Sequence, residues 1–306
     1  MDETRIKSVA GLIEAVRDRR EAWGKQVQPW FRGEPERTSK PLWPKVFRSI
    51  HDENLLLQLF RMHAPSFGIE NSPPREHTDE WLFLAQHFGL PTRLLDWTEG
   101  LLLALYFGLN HGNQSRFGSV VWMLNPIELN RQSFRDLPKL RSRLLLPLSD
   151  DPVTRENIDF DLPWFSKELN LAAWMRMYED FERKRGTIAS GESFLSRLRK
   201  DSFLPNLANM NVRAAWEIRF QGTELPIALL PSYVHARMTV QRSRFTIHGR
   251  IRSGLNPSLG QDVLARLVID KGKTAELKEE LAVLGIGPSM VYPDLGGLAQ
   301  ELGERY

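Results

Sequence analysis

The sequence predicts a single mixed α+β domain with a mainly helical insertion. Short apolar runs with strand character, such as 118–124, stand between segments with the 3.6-residue periodicity of helices. The pattern changes between residues 128 and 213, where prolines and charges are scattered among helical fragments. With 42% hydrophobic residues in 306 positions, the chain can bury a sizeable core. We expect one domain over 1–306, an insertion over 128–213 and a return to the same core over 214–306.

The first part of the chain carries helix and strand signals in alternation. Apolar residues recur at helical spacing from Val9 to Trp23, and Ser8 before them is a typical N-cap. A helix should therefore open the domain. Residues 28–33 predict a short strand that a glycine ends, and residues 55–63 predict a helix that stops before a proline.

The next elements lead into a polar motif. Residues 80–88 predict a helix, with Gly89 just past its end, where a left-handed residue is common. An extended segment follows over 92–97, and Thr98 is placed to cap a helix over 99–109. Two-residue alternation in this segment separates two faces, the first holding Thr92, Leu94, Asp96 and Thr98 and the second Arg93, Leu95 and Trp97.

Strands resume in the last third of the chain. Residues 226–230 and 238–247 predict strands, and in the second of these Gln241 lies on a polar face opposite an apolar one. A helix capped by Thr274 should end at Gly285.

Composition excludes several classes of protein. The charge of +3 is small beside 41 basic and 38 acidic residues, so overall electrostatics would not draw the chain onto nucleic acid. No apolar run is long enough for a membrane span, and no cysteine is present for a disulfide or a thiolate. We expect a cytoplasmic protein without a membrane partner.

Two familiar motifs are incomplete. Residues 267–274 imitate a P-loop but lack its first glycine, without which the backbone cannot wrap a phosphate chain. His51-Asp52 is a dipeptide that metal phosphohydrolases use, but the other histidines show no ligand spacing, and no metal is expected.

Residues 84–98 combine apolar residues typical of a core with polar and titratable ones. His87, Arg93 and Asp96 stand within this stretch. Because an unpartnered buried charge costs several kcal/mol, such groups are paired or used. The segment is therefore the first candidate for a functional site.

This segment resembles a known family. The string from Leu84 to Thr98, together with Trp30-Phe31-Arg32-Gly33-Glu34, is similar to the FRG domain family, which is named for the Phe-Arg-Gly at 31–33. Blocks over 237–246 and 284–295 support the match. The resemblance covers roughly residues 30–125 and 225–300.

A looser resemblance links the layout to ADP-ribosyltransferases of the Arg-Ser-Glu type. On that comparison Arg32 is the first-strand arginine that orients NAD, Asp96 to Thr98 match the serine-threonine-serine strand, and Gln241 stands where the catalytic glutamate would be. The resemblance implies an ADP-ribosyltransferase-like split β-sheet with flanking helices. It also implies NAD as substrate, transfer to a macromolecular acceptor, nucleic acid or protein, and deployment as a toxin or in phage defence.

The predicted site residues form two groups. The expected catalytic residues are Arg32, Asp96, Thr98 and Gln241. The expected ligand-binding residues are Phe31, Gly33, His87, Thr92, Arg93 and Trp97.

Structural explanations stay open for several of these residues. Arg32 could pair with a structural carboxylate, and Asp96 could pair with Arg93 around a bend. Thr98 could serve only as an N-cap, and His87 could interact with the last carbonyls of its helix.

The function also has alternatives. Glutamine can hold a ribose hydroxyl but supplies no negative charge for an oxocarbenium-like transition state. Either Asp96, Glu217 or Glu224 compensates, or the protein binds without turnover. On the transferase hypothesis, Gln241→Glu should retain or raise NAD turnover. The alternatives are a non-catalytic module that binds a nucleotide or a protein, and a nucleic-acid-processing enzyme, which the missing metal cluster disfavours.

Overall fold

The computed structural model describes residues 5–37, 39–68, 72–74, 78–111, 118–133, 225–231, 233–249, 252–256 and 259–306. Within these ranges the chain forms one antiparallel β-sheet with helices packed against it, so the predicted α+β class is confirmed. Most of the predicted insertion, 134–213, lies outside the described residues.

The strands and helices have the following bounds. The strands are β1 Trp30–Pro35, β2 Leu94–Thr98, β3 Ser119–Leu124, β4 Ile227–Leu229, β5 Ser243–Ile247 and β6 Leu264–Ile269. The helices are α1 Val9–Trp23, α2 Lys45–Arg48, α3 Glu53–His63, α4 Thr78–His87, α5 Leu101–His111, α6 Pro126–Ser133, α7 Ala236–Val240, α8 Thr274–Val283, α9 Pro288–Val291 and α10 Leu295–Arg305. Short 3₁₀ turns cover Ala64–Phe67 and Lys271–Lys273.

The sheet combines strands from both ends of the chain, in the order β4-β5-β2-β1-β3-β6. β1 pairs with β3 along its whole length, and β2 pairs with β5 along its whole length. Between β1 and β2 the register holds at a single position, where Phe31 faces Thr98. The two central strands therefore diverge from that point, which leaves backbone groups on both for other partners.

One face of the sheet packs against α5. Phe31, Val121 and Met123 lie in this core with the apolar residues of the helix. Gly33 allows the close approach, because a Cβ there would lie 1.9 Å from the carbonyl oxygen of Ala104. No larger residue fits at position 33 without displacing α5.

The other face of the sheet is rich in tryptophan. Trp30, Trp97 and Trp122 are buried there beneath Leu42 and Leu129. This layer fixes the side of β1 and β2 on which Trp97 lies, and so leaves Asp96 on the opposite side, as the alternation predicts.

α4 is positioned by an aromatic contact. Phe83 stacks on Phe245 of β5 with ring centroids 5.3 Å apart. The helix ends before Gly89, which has the predicted left-handed φ of 81°. This placement brings the last turn of α4 over β2.

Two boundary predictions for the first part of the chain hold and one needs extension. Ser8 caps α1 by accepting from the amide of Gly11 at 3.1 Å, and Thr98 accepts from the amide of Gly100 at 2.9 Å before α5. The first strand, predicted to end at Gly33, continues to Pro35 because β3 pairs with it to that point.

The strand predicted over 238–247 is wrong in its first half. Ala236–Val240 form the short helix α7, and the strand begins only at Ser243. His235 caps the helix by accepting from the amide of Arg237, and Met238 is completely buried. Tertiary burial and a local cap thus override the alternation that predicted a strand.

Candidate functional site

Arg32 fills the gap where β1 and β2 diverge. Its Nε donates to Oε1 of Glu34 at 2.8 Å, and its Nη1 donates to the carbonyl oxygen of Asp96 at 2.8 Å. The guanidinium therefore satisfies a β2 carbonyl that the neighbouring strand does not reach. Its remaining nitrogen, Nη2, has no hydrogen bond to the described residues and is available to a ligand.

Glu34 anchors the base of this arrangement. Its carboxylate is buried, with 6% of the side chain exposed. Besides Arg32 it accepts from the amide of Leu42 at 3.2 Å, and Nη2 of Arg48 lies 3.9 Å from the same oxygen that Arg32 contacts. A structural carboxylate for Arg32 thus exists, as one of the alternatives required, but it occupies only one side of the guanidinium.

Asp96 is the accessible carboxylate of the site. It is the one exposed position of an otherwise buried strand, and 54% of its side chain meets solvent. Its Oδ2 lies 3.9 Å from Nη1 of Arg32. Asp96 therefore presents a negative charge near the guanidinium, on the side of the nitrogen that binds its own carbonyl oxygen.

A relay of polar side chains holds the Asp96 carboxylate in place. Nε2 of Gln86, in the last turn of α4, donates to Oδ2 of Asp96 at 2.6 Å. Gln86 is itself oriented by Thr92, whose hydroxyl donates to Oε1 at 2.5 Å and accepts from the amide of Leu94 at 3.1 Å. Thr92, predicted as a ligand-binding residue, is thus placed to act through Gln86.

The pKa shifts of Asp96 and Arg48 reflect the protein atoms that surround them. Burial among neighbouring protein atoms raises the pKa of Asp96, and the charge of Arg32 and the Gln86 hydrogen bond lower it in part. Burial lowers the pKa of the Arg48 guanidinium, and the charge of Arg32 adds to this effect. Asp96 thus has protein atoms around it while 54% of its side chain meets solvent. We call the group of Arg32, Arg48, Gln86 and Asp96, where β1 and β2 diverge, the β1–β2 recess.

Thr98 and Gln241 are brought together, but through the backbone of Gln241. The Thr98 hydroxyl donates to the carbonyl oxygen of Gln241 at 2.6 Å. The Gln241 side chain instead donates from Nε2 to the carbonyl oxygen of Val291 at 3.0 Å, which ties α7 to α9. The amide nitrogen of Gln241 is therefore already engaged, on a segment that the sequence had placed in a strand.

The other predicted residues take mostly structural positions. Phe31 and Trp97 are buried in the two core layers, and Gly33 lies under α5. Arg93 pairs with Glu53 at 2.7 Å, and not with Asp96.

His87 lies against a second imidazole. Its ring centroid is 4.6 Å from that of His235, and its Nε2 is buried without a hydrogen-bond partner. Burial, followed by the nearby His235 and Arg237, lowers the pKa of His87 to about 4. His87 is therefore neutral in the structure, next to the cap of α7.

Sequence reasoning missed two residues of the recess, Gln86 and Arg48, and the Glu34 carboxylate that anchors Arg32. Glu34 follows Arg32 by two positions and so shares its face of β1, a signal that was available. Gln86 lies within the recognised motif, but its side chain reaches Asp96 only because α4 packs over β2. Nothing in the local sequence marks Arg48, whose place depends on the path of the chain after β1.

Comparison with known proteins identifies one domain family. A model of the FRG domain matches residues 28–116, a range that includes every residue of the recess. This segment of the chain belongs to the FRG domain family. No curated protein and no solved structure matches it.

The described part of this FRG protein has two further properties. None of its helices is both long and apolar enough to cross a membrane. Within the same residues, no group of three or more metal-ligating side chains comes together.

Proposed function

We propose that this FRG protein transfers ADP-ribose from NAD to a macromolecule, and that the β1–β2 recess is the site of the reaction. The observation that carries the proposal is the pairing of Arg32, with one nitrogen open, and Asp96, with an accessible carboxylate 3.9 Å away. A dinucleotide substrate needs both, a cation for its phosphates and an anion for the ribose that reacts.

The reaction divides between these residues. Arg32 and Arg48 hold the pyrophosphate, for which planar guanidinium groups are well suited. The bond between C1′ of the ribose and nicotinamide breaks, and its electron pair leaves with neutral nicotinamide. The Asp96 carboxylate stabilises the resulting oxocarbenium-like cation. An acceptor nucleophile then attacks C1′ and loses a proton to solvent.

This assignment gives the role of the catalytic carboxylate to Asp96 instead of to position 241, where the resemblance places a glutamate. Gln241 carries no charge, and its amide nitrogen is bound to Val291. Among the described residues, Asp96 is the carboxylate within 4 Å of Arg32 that also meets solvent, whereas Glu34 is buried. Glu217 and Glu224 lie outside the described residues. Gln86 and Thr92 support the reaction by orienting Asp96, and so act as positioning residues.

A second function, non-catalytic binding of a nucleotide, is favoured by one observation. Nη2 of Arg48 lies 3.9 Å from Oε1 of Glu34, the same oxygen that Nε of Arg32 contacts. The two guanidinium groups are thus held side by side, an arrangement that binds phosphates whether or not Asp96 takes part in cleavage of a glycosidic bond.

Asp96→Asn separates the two functions. The amide keeps the size of the side chain but removes the charge, so we expect nicotinamide release to fall by a factor of about 100 or more, as for loss of a preorganised electrostatic contact. NAD affinity, measured by calorimetry, should stay within a few fold. Release is assayed with whole-cell nucleic acid and protein extract present as a source of acceptor.

Asp18→Asn serves as the matched control, because Asp18 has 74% of its side chain exposed on α1. Its variant should release nicotinamide like the wild type. NAD binding without release by the wild-type protein would support the binding module and overturn the transferase proposal. Absence of NAD binding would exclude both functions for this substrate.

A further inference from the structure

A band of fixed cations adjoins the β1–β2 recess. It begins at Arg48, which borders the recess, and continues over the surface of α2 and the segments beside it. We call it the basic band, and its members are Lys40, Lys45, Arg48 and Arg252.

Backbone carbonyls hold Lys45, which lies in α2, and Arg252, which lies beside it. Nη2 of Arg252 donates to the carbonyl oxygens of Val46 at 3.2 Å and Ser49 at 2.8 Å. Nζ of Lys45 donates to the carbonyl oxygen of Gly89 at 2.8 Å. A carbonyl fixes the position of a cation but does not neutralise its charge.

Lys40 and Arg48 are held in the same way. Nζ of Lys40 donates to the carbonyl oxygen of Arg48 at 3.2 Å, and Nε of Arg48 donates to the carbonyl oxygen of Trp43 at 3.0 Å. Among the described residues, the sole carboxylate within ion-pair distance of the band is Glu34, 3.9 Å from Arg48 and already bonded to Arg32. The band therefore carries a net positive charge, which the nearby carboxylates of Glu34 and Asp96 offset in part, and N–H donors remain for a ligand.

An aromatic ring lies within the band. The indole of Trp43 is partly exposed, and Nζ of Lys40 lies 4.9 Å from its ring centroid. Gly254 packs against its edge so closely that a Cβ there would lie 2.2 Å from Cδ1 of the indole. Trp43 is thus a positioned ring next to positioned cations.

We propose that the basic band binds single-stranded nucleic acid and that this strand is the macromolecular acceptor. Phosphates complement a row of fixed cations in which, among the described residues, Arg48 alone has a carboxylate within ion-pair distance. The partly exposed indole of Trp43 offers a face on which an unpaired base can stack. A base held in a duplex cannot reach the ring. The role as acceptor rests on the proposed transferase function, because Arg48 joins the band to the recess; the binding itself does not depend on catalysis.

The first test measures the salt dependence of binding. Fluorescence anisotropy follows labelled single strands of about 20 nucleotides, DNA and RNA of one sequence, without NAD. The double variant Lys40→Gln, Lys45→Gln should lower the slope of log Kd against log salt by about 1.4, because two phosphate contacts are lost at about 0.7 each on single strands. Lys7→Gln, Lys25→Gln removes the same charge from exposed positions away from the band and should keep the wild-type slope.

The second test addresses stacking. Trp43→Leu should weaken binding about 5-fold or more, as expected for loss of one stacked base, whereas Trp43→Phe should stay close to the wild type. Because Phe preserves an aromatic ring, it separates stacking from a general loss of folding. A duplex of the same sequence should bind at least about 10-fold more weakly than the single strand.

The outcomes distinguish this proposal from the function on which it builds. Equal slopes for the two lysine double variants, equal binding of duplex and single strand, or tighter binding of poly-glutamate than of the oligonucleotides would overturn the basic band as a nucleic-acid site. Strand binding that depends on the band, without nicotinamide release when NAD and the strand are both present, would leave the binding site standing and overturn the transferase proposal. Transfer of ADP-ribose to protein alone would overturn the strand as acceptor.

Discussion

At the scale of single residues, Arg32 combines the two roles that its sequence context left open. Glu34 and the Asp96 carbonyl fix two of its nitrogens, as a structural arginine requires. The third nitrogen has no hydrogen bond to the described residues, and the accessible carboxylate of Asp96 lies 3.9 Å from the neighbouring Nη1. A residue of this kind cannot be assigned to structure or to function alone, and its replacement should affect both.

Replacing Arg32 with Lys should weaken NAD binding and also reduce stability. An ammonium keeps the charge but loses the planar fork, so it cannot contact Glu34, the Asp96 carbonyl and a phosphate together. We expect at least a 10-fold loss of NAD affinity by calorimetry and a loss of about 1 to 3 kcal/mol in the free energy of unfolding, from the unmade hydrogen bonds. Unchanged NAD affinity would remove Arg32 from the binding site.

At Gln241 the structure changes the basis of the inference from the sequence. Its position in the family resemblance suggested a ribose-holding group on a strand. Gln241 instead follows the last residue of α7, and its side chain donates to the Val291 carbonyl. The expectation that a glutamate here would restore activity therefore changes.

Gln241→Glu should lower stability and leave turnover no higher than that of the wild type. A carboxylate at this position faces the Val291 carbonyl without a donor between them, at a cost of about 1 to 3 kcal/mol in the free energy of unfolding. Urea unfolding and nicotinamide release measure the two effects. Gln26→Glu, at an exposed position, is the control. Increased turnover in Gln241→Glu would return Gln241 to the catalytic group.

At the scale of elements, local signals predicted the boundaries that local contacts set. Ser8 begins α1 because its own side chain caps the helix, and Gly89 ends α4 through its left-handed backbone. α7 was missed because the burial of Met238 decides its conformation. β6 was missed as well, since its sequence was considered only as an imperfect P-loop. The recess was predicted in part. Its two strands, β1 and β2, were expected from the sequence, but their divergence was not.

The contact between β1 and α5 supplies an element-scale prediction. Gly33→Ala places a Cβ 1.9 Å from a backbone oxygen of α5, which no rotamer change can relieve. Overpacking of this kind costs about 1 to 3 kcal/mol or more, and it should widen the sheet beside Arg32. Thermal unfolding should show a lowered midpoint for Gly33→Ala.

Gly303→Ala is the matched control for this change. It lies in α10, where an added Cβ meets nothing within 4 Å, and helix propensity favours alanine by up to about 1 kcal/mol. Its midpoint should stay the same or rise. Equal midpoints for Gly33→Ala and the wild type would show that α5 can shift without cost.

At the scale of the whole molecule, the matched FRG segment does not contain its own sheet. Residues 28–116 supply β1 and β2, but β2 pairs along its length with β5, and β1 with β3. The strands β3, β4, β5 and β6, over residues 119–124, 227–229, 243–247 and 264–269, therefore complete the support of the recess. The site could be located from the motif because the motif holds its polar groups. Its geometry could not, because distant parts of the chain impose it.

Two histidines with lowered pKa values, His248 and His87, make the stability of the fold sensitive to acid. His248 is 2% exposed and links Thr246 to the carbonyl of Ser253. Burial lowers its pKa to about 3, with the charges of Arg93 and Arg32 adding to the effect and the Ser253 hydrogen bond opposing it. Burial likewise lowers the pKa of His87, to about 4.

The free energy of unfolding should therefore fall as the pH is lowered. Both pKa values lie below the value of about 6.5 in the unfolded chain, so the unfolded state binds protons first. Stability is complete above about pH 6.5 and declines towards pH 3 for His248 and pH 4 for His87. His248 alone contributes a loss of about 1.4 kcal/mol per pH unit in this window, or about 2 kcal/mol at about pH 5.

Urea unfolding between about pH 7.5 and pH 5 measures this slope. His248→Gln keeps a polar side chain at the position but cannot take up the proton, so its slope should be smaller by about 1.4 kcal/mol per pH unit, whatever its stability at neutral pH. His51→Gln, at an exposed position, is the control. A slope in His248→Gln equal to that of the wild type would mean that His248 takes up its proton equally in the folded and unfolded states, and the neutral network through Thr246 would have to be abandoned.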